Sequence, residues 1–95
     1  MEIAVPVDVR LPTILRPAAG GHATVPAEGA TVGEVFGDLI RRHPALEQQL
    51  LTSDGDLHRH LNVFLNDDDI RYLGKFDAKV GESDTLTLMP AVAGG

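Results

Sequence analysis

Thr31-Val32-Gly33-Glu34-Val35-Phe36-Gly37-Asp38-Leu39-Ile40-Arg41-Arg42-His43-Pro44 is the stretch that decides the fold. Val32, Val35, Phe36, Leu39, Ile40 and His43 recur at helical spacing, which predicts one amphipathic helix with a single apolar stripe. Thr31, with Glu34 three residues on, fits a capping box in which the hydroxyl caps the first turn and the carboxylate reaches back. Pro44 ends the helix, because the residue before a proline avoids the helical region. Gly33 and Gly37 each weaken the helix by about 1 kcal/mol, so packing has to hold it. A stripe of this kind needs an apolar sheet face to lie on.

The segments on either side supply such a face. Before the helix, Ile3, Val5, Val7 and Val9 alternate with Ala4, Pro6 and Asp8, which predicts a half-buried strand over residues 2–9. Pro6 has no N–H to give to a ladder, so one side of it is locally unpaired. Arg16-Pro17-Ala18-Ala19-Gly20-Gly21 has the composition of a turn, and His22 to Pro26 returns as a second strand. After the helix, Ala45 to Leu51 suits a short helical turn and Thr52 to Asp56 a polar loop. Leu61, Val63 and Leu65 alternate with Asn62, Phe64 and Asn66 in a third strand. Asn66-Asp67-Asp68-Asp69 is a turn by composition, Ile70 to Leu73 a short fourth strand, and residues 74–83 irregular. Leu86 and Leu88 alternate with Thr87 and Met89 in a last strand, stopped by Pro90. The order strand, strand, helix, strand, strand, strand describes an α+β domain with one mixed sheet under one helix.

Bulk properties narrow the function. Ninety-five residues fit one domain, which leaves little room for a deep enclosed site. The net charge of −6 argues against a phosphate-backbone partner, which needs clustered Lys and Arg. A protein surface with basic character is the easier match. Without cysteine there is no disulfide, thiolate nucleophile or Cys-ligated metal. No stretch approaches the ~20 apolar residues of a membrane helix, and the first residues do not resemble a signal peptide. These features predict a cytoplasmic protein without membrane or nucleic-acid partners.

Side chains that carry chemistry form no convincing constellation. His58 and His60 would share a strand face but have no third ligand at a recognisable spacing, and His22 and His43 stand apart. Asp67-Asp68-Asp69 lacks the glycine and distant glutamate of a calcium loop, and Gly20-Gly21 lacks the lysine and serine of a phosphate loop. Ser53 and Ser83 have no base or nucleophile elbow beside them. No metal site is expected. What remains is Gly94-Gly95 just after a strand. Frayed termini are common, yet glycine has no side chain and wide backbone freedom, so such an end can thread a narrow channel and offer a bare carboxylate to another protein. A carboxylate becomes an electrophile once it is activated, for example as an acyl-adenylate. That role needs no catalytic residue of the chain's own.

The strand order with a diglycine end resembles ubiquitin-like β-grasp proteins, and among them the MoaD/ThiS sulfur-carrier family, most of all its cysteine-biosynthesis branch. Leu11-Pro12-Thr13-Ile14-Leu15-Arg16-Pro17, Leu57-His58-Arg59, Asn66-Asp67-Asp68-Asp69-Ile70-Arg71 and Pro90-Ala91-Val92-Ala93-Gly94-Gly95 carry the likeness. The resemblance implies a β-grasp domain over residues 1–90, with a five-stranded mixed sheet on one main helix, and a flexible tail over 91–95. It implies a protein co-substrate rather than an enzyme. A partner enzyme using ATP and magnesium would adenylate Gly95, sulfur would be loaded there as a thiocarboxylate, and a synthase would pass it to a small metabolite, in cysteine-type biosynthesis or toward a sulfur-containing natural product. In the cysteine branch that synthase uses pyridoxal phosphate, and a zinc peptidase trims the product; no cofactor belongs to the carrier. The partner-binding residues are then Ala91, Val92, Ala93 and Gly94 in the tail, with Phe64 and Met89 as an outward apolar patch on neighbouring strands. Two alternatives share the diglycine: a ubiquitin-like modifier joined to lysines, and the small subunit of molybdopterin synthase. A plain interaction module with an idle tail is a third.

Overall fold

A computed structural model describes residues 6–59, 61–81 and 84–90. Five strands form one sheet in the order β2-β1-β5-β3-β4: β1 (Val7–Arg10), β2 (Thr24–Ala27), β3 (Leu61–Leu65), β4 (Asp68–Asp69) and β5 (Thr85–Pro90). The first and last strands lie side by side at its centre and run parallel, while β2, β3 and β4 are antiparallel to their neighbours. This is the β-grasp arrangement, an α+β fold with a five-stranded mixed sheet.

Alternation decides which face is buried. Val7, Val9, Val63, Leu86 and Leu88 are at most 1% exposed, and Leu61 and Leu65 are buried with them. Helix α1 (Val32–Arg42) covers that face with Val32, Val35, Phe36 and Leu39, and Ile40 packs at its margin. The capping box is present in modified form. Thr31 Oγ1 accepts from the Glu34 N–H at 3.2 Å, but Glu34 Oε1 reaches one residue further back, to the Ala30 N–H at 3.0 Å. Thr31 itself sits in a β-bridge with Lys79. The helix ends at Arg42, and His43 leaves the helical region, as a residue before proline does, so it caps the stripe rather than continuing it. The predicted turn after Pro44 is a 3₁₀ turn, Pro44–Leu46, followed by helix α2 (Glu47–Leu50), with Leu46 and Leu50 buried.

Three local expectations are corrected. The turn expected from Arg16 is the end of a 3₁₀ helix, Thr13–Ala19, which buries Leu15 and Ala19; the chain reverses at Gly20 and Gly21, at φ 70° and 86°. Ile70 to Leu73 is not a strand. β4 is the pair Asp68–Asp69 just before it, and Ile70–Tyr72 is a 3₁₀ turn capped by the Asp69 carboxylate, which accepts from the Arg71 N–H. Burying Ile70 alone needs one inward side chain and no alternation. Pro90 does not stop β5 but closes it opposite Leu61, a position where its missing N–H leaves only the carbonyl to pair. Among the described residues the first strand is Val7–Arg10, and Ile3 and Val5 lie outside them. Within the segment expected to be irregular, a 3₁₀ turn, Lys75–Asp77, sets the Phe76 ring edge-on to Phe36, 5.7 Å between centroids.

Candidate functional site: the outer sheet face and the end of β5

The face of the sheet away from α1 carries the candidate site. The register aligns Thr24, Arg10, Thr87, Phe64 and Asp69 in one row across all five strands. Met89 stands two residues beyond Thr87 on β5, opposite Asn62 of β3. Phe64 and Met89 are thus diagonal neighbours on one face, as their phase predicts. Met89 is 49% exposed, whereas Phe64 is half-buried.

A polar clamp brackets Phe64. The Arg71 guanidinium donates to Asp69 Oδ2 at 2.8 Å and to Asn62 Oδ1 at 2.9 Å, linking β4 to β3 beside Phe64. The hydrogen bond from the Arg71 side chain, with its backbone N–H and its charge, holds the Asp69 carboxyl below the ordinary range against the opposing effect of burial. Asp69 is therefore a fixed anion already satisfied by Arg71. The acidic run Asp67-Asp68-Asp69 forms turn and strand.

Asn66 explains another part of the same segment. It lies in the left-handed region at φ 57°, and its side chain accepts from the Thr85 N–H at 3.1 Å while donating to Asp84 Oδ1 at 3.0 Å. The β3 exit is thereby fastened to the β5 entry. The Gly81 N–H and the Asn66 amide hold the Asp84 carboxyl below its usual value.

At the other end β5 reaches Pro90, the last described residue. Ala91, Val92, Ala93, Gly94 and Gly95, the expected tail and acyl site, lie outside the described residues. So do His60 and Ser83. His58 is not on a strand; it precedes β3, and its backbone N–H donates to the Leu50 carbonyl. Among the described residues no group of three His, Asp or Glu side chains could hold a metal, and no helix is long and apolar enough to cross a membrane.

Sequence reasoning missed a set of residues beside the tail's exit. Ile14, on the 3₁₀ helix Thr13–Ala19, is 67% exposed. It lines an open hollow of about 480 Å³ together with Arg10, Pro12, Arg16, Met89 and Pro90. The signal was present in Leu11, Leu15 and Ala19, all buried at four-residue spacing. Read as helical, that spacing would have placed Ile14 off the buried side.

The model of the ThiS family matches residues 9–95. The sulfur carrier protein CysO of Mycobacterium tuberculosis is 42% identical over 91 residues, covering 94% of this chain and 98% of that protein. CysO in the Amycolatopsis orientalis BexX/CysO complex superposes with a TM-score of 0.85 at 47% identity, covering 94% of this chain and 99% of that one. Small archaeal modifier protein 1 of Haloferax volcanii is 41% identical over 66 residues, 70% of this chain and 71% of that protein.

Proposed function

The chain belongs to the ThiS family, and from that premise we propose that it is a sulfur carrier whose reactive group is the Gly95 carboxylate. The relationship to a sulfur carrier over nearly the whole length carries this reading. A carboxylate oxygen of Gly95 attacks the α-phosphate of ATP in a partner enzyme and releases pyrophosphate, with magnesium neutralising the phosphates. A sulfur nucleophile then attacks the acyl carbon, AMP leaves, and a thiocarboxylate remains. In the next enzyme that sulfur becomes the nucleophile toward a small metabolite.

This chain contributes presentation, not catalysis. Parallel pairing with β1 and antiparallel pairing with β3 fix β5 on both sides, so the tail starts from a rigid base. Ala91, Val92, Ala93 and Gly94 are small enough to follow a channel. Met89 and Phe64 supply the apolar contact at its mouth. A cytoplasmic carrier of cysteine biosynthesis would meet a pyridoxal-phosphate synthase as acceptor and a zinc peptidase afterwards. The Amycolatopsis relative stands in a complex with BexX, which favours recognition by a folded protein partner.

The likeness to a small archaeal modifier protein favours a second reading, conjugation to lysines of other proteins. Activation is the same; the nucleophile is an amine instead of sulfur. One experiment separates them. The chain is incubated with an activating enzyme, ATP, magnesium and a sulfur donor, and the C-terminal peptide is weighed. A gain equal to the mass difference of sulfur over oxygen, confined to that peptide, is expected. Isopeptide-linked products without the thiocarboxylate would establish the modifier instead, and absence of both would refute the carrier reading.

A further inference from the structure

We infer that Arg10, Ile14 and Arg16 form a second docking element beside the tail's exit, and that it meets an acidic, apolar-lipped rim around the channel of the enzyme that activates Gly95. The inference rests on the carrier reading and deepens it.

Three observations converge. The first is charge. The chain is net −6, and Arg41, Arg42 and Arg71 are ion-paired with Asp38, Glu28 and Asp69. Among the described residues neither Arg10 nor Arg16 has a carboxylate partner, and no ion pair joins Arg10 to Asp8 on the same face. Arg16 is oriented by donating from Nε to the Leu11 carbonyl at 3.2 Å. Arg59, Lys75 and Lys79 likewise have no carboxylate partner among the described residues, but Arg10 and Arg16 are the ones that line one hollow with Ile14 and Met89, where Arg can offer a carboxylate paired parallel donors.

The second is apolar exposure. Four large apolar side chains are exposed among the described residues, and Ile14 and Met89 line the same hollow as the two arginines. Isolated exposed apolar residues need no explanation, but an apolar pair rimmed by charge has the composition of an interface centre. The third is reach. From Pro90 to Gly95 the tail is five residues, which extend at most about 17 Å. An enzyme that holds Gly95 in its active site must bring its channel mouth within that distance of Pro90, and Pro90 lines this hollow. The surface is therefore covered whenever the tail is engaged. The activating enzyme is the occupant because every use of the tail begins with it, whichever acceptor follows.

The test uses the full chain and the ATP-dependent enzyme shown to load the wild-type protein. Affinity is measured at low and high salt for wild type, Arg10→Glu, Ile14→Asp and Arg41→Glu, with thermal unfolding of each variant as the folding check. Arg41 is exposed on α1, on the opposite side of the sheet, so its reversal makes the same net-charge change away from the hollow. Arg10→Glu is expected to weaken binding about tenfold and to flatten the salt dependence. Ile14→Asp is expected to weaken it by about tenfold or more at an unchanged Tm, with Ile14→Ser as the milder replacement where the aspartate lowers Tm. Arg41→Glu is expected to stay near wild type. Equal effects of Arg10→Glu and Arg41→Glu, or wild-type binding by both Ile14 variants, would overturn the inference while leaving the carrier reading intact. Failure of the wild-type chain to acquire sulfur with any adenylating enzyme would remove both.

Discussion

Gly33 and Gly37 occupy the same helix one turn apart, and alanine is expected to stabilise the protein at Gly37 but not at Gly33. Helix propensity alone would favour alanine by about 1 kcal/mol at either site. At Gly37 nothing lies within 4 Å of an added Cβ, so the gain is realised in full and Tm rises by roughly 4–8 °C for a domain of this size. At Gly33 the same methyl would sit 3.2 Å from both the Cβ and the carbonyl oxygen of Phe76. Phe76 has little freedom to retreat. Its ring is set edge-on to Phe36, and the Val32 N–H donates to the Ala78 carbonyl at 2.9 Å just beyond it. Overpacking of this kind costs about 1–3 kcal/mol, which cancels or exceeds the propensity gain. The two variants are therefore expected to differ by about 1–3 kcal/mol in favour of Gly37→Ala, read by thermal and denaturant unfolding followed by circular dichroism. In a Phe76→Ala background the penalty at Gly33 is expected to persist, because the Cβ and carbonyl oxygen that oppose the new methyl are both retained by alanine. Equal Tm values for the two single variants would refute this account of the helix packing. Sulfur loading is expected to be unchanged in Gly37→Ala, which lies away from the end of β5.

Leu88→Ala removes a side chain only 1% exposed and is expected to cost about 2–5 kcal/mol, measured by denaturant unfolding; a change under about 1 kcal/mol would mean the core is not centred where the sheet places it. Its neighbour Met89, replaced by Asp, and Phe64, replaced by Ala, are expected to weaken binding to the activating enzyme by about 1–3 kcal/mol each, with Phe64→Ala also losing some stability because the ring is half-buried; unchanged affinity in both leaves the patch without a role. Deleting Gly95 is expected to abolish sulfur loading while leaving Tm nearly unchanged, and Gly94→Val to impair loading by narrowing the conformations available; sulfur uptake by the truncated chain counts against Gly95. Asp84 is held below its usual value of 3.8 by the Gly81 N–H and the Asn66 amide. A carboxyl whose folded pKa is depressed contributes stability above its unfolded value and loses it as pH falls through the folded one. The Tm gap between wild type and Asp84→Ala is therefore expected at neutral pH and to shrink below about pH 4, and a gap independent of pH would contradict the assignment.

The parts of this fold legible in the sequence are those where burial is periodic. Val7 and Val9, Val63 and Leu65, and Leu86 and Leu88 each alternate because one face of a strand meets α1, and the stripe of α1 repeats because one side of a helix meets the sheet. Where a segment buries a single residue, no period exists to read. Ile70 is fully buried, yet its neighbours Arg71 and Tyr72 are exposed, so nothing in the residue pattern separates this 3₁₀ turn from a short strand. Thr13–Ala19 carries a four-residue period, but Pro17 and the Gly20-Gly21 reversal outweighed it.

The candidate site divides along the same line. The outward phase of Phe64 and Met89 follows from alternation within each strand. The hollow that joins Ile14 to Met89 does not, because it exists only where β1 pairs in parallel with β5 and carries the chain after Arg10 alongside the last residues of β5. More than seventy positions separate the two segments, and no local pattern in either names the other. A β-grasp sheet places its first and last strands together at the centre, so whatever follows the first strand flanks whatever follows the last. Under the proposed carrier function, that topology would make the segment after β1 a neighbour of every enzyme that takes the tail. Docking there would give a role to the side chains of Ile14, Arg10 and Arg16, positions where the core has no use for them.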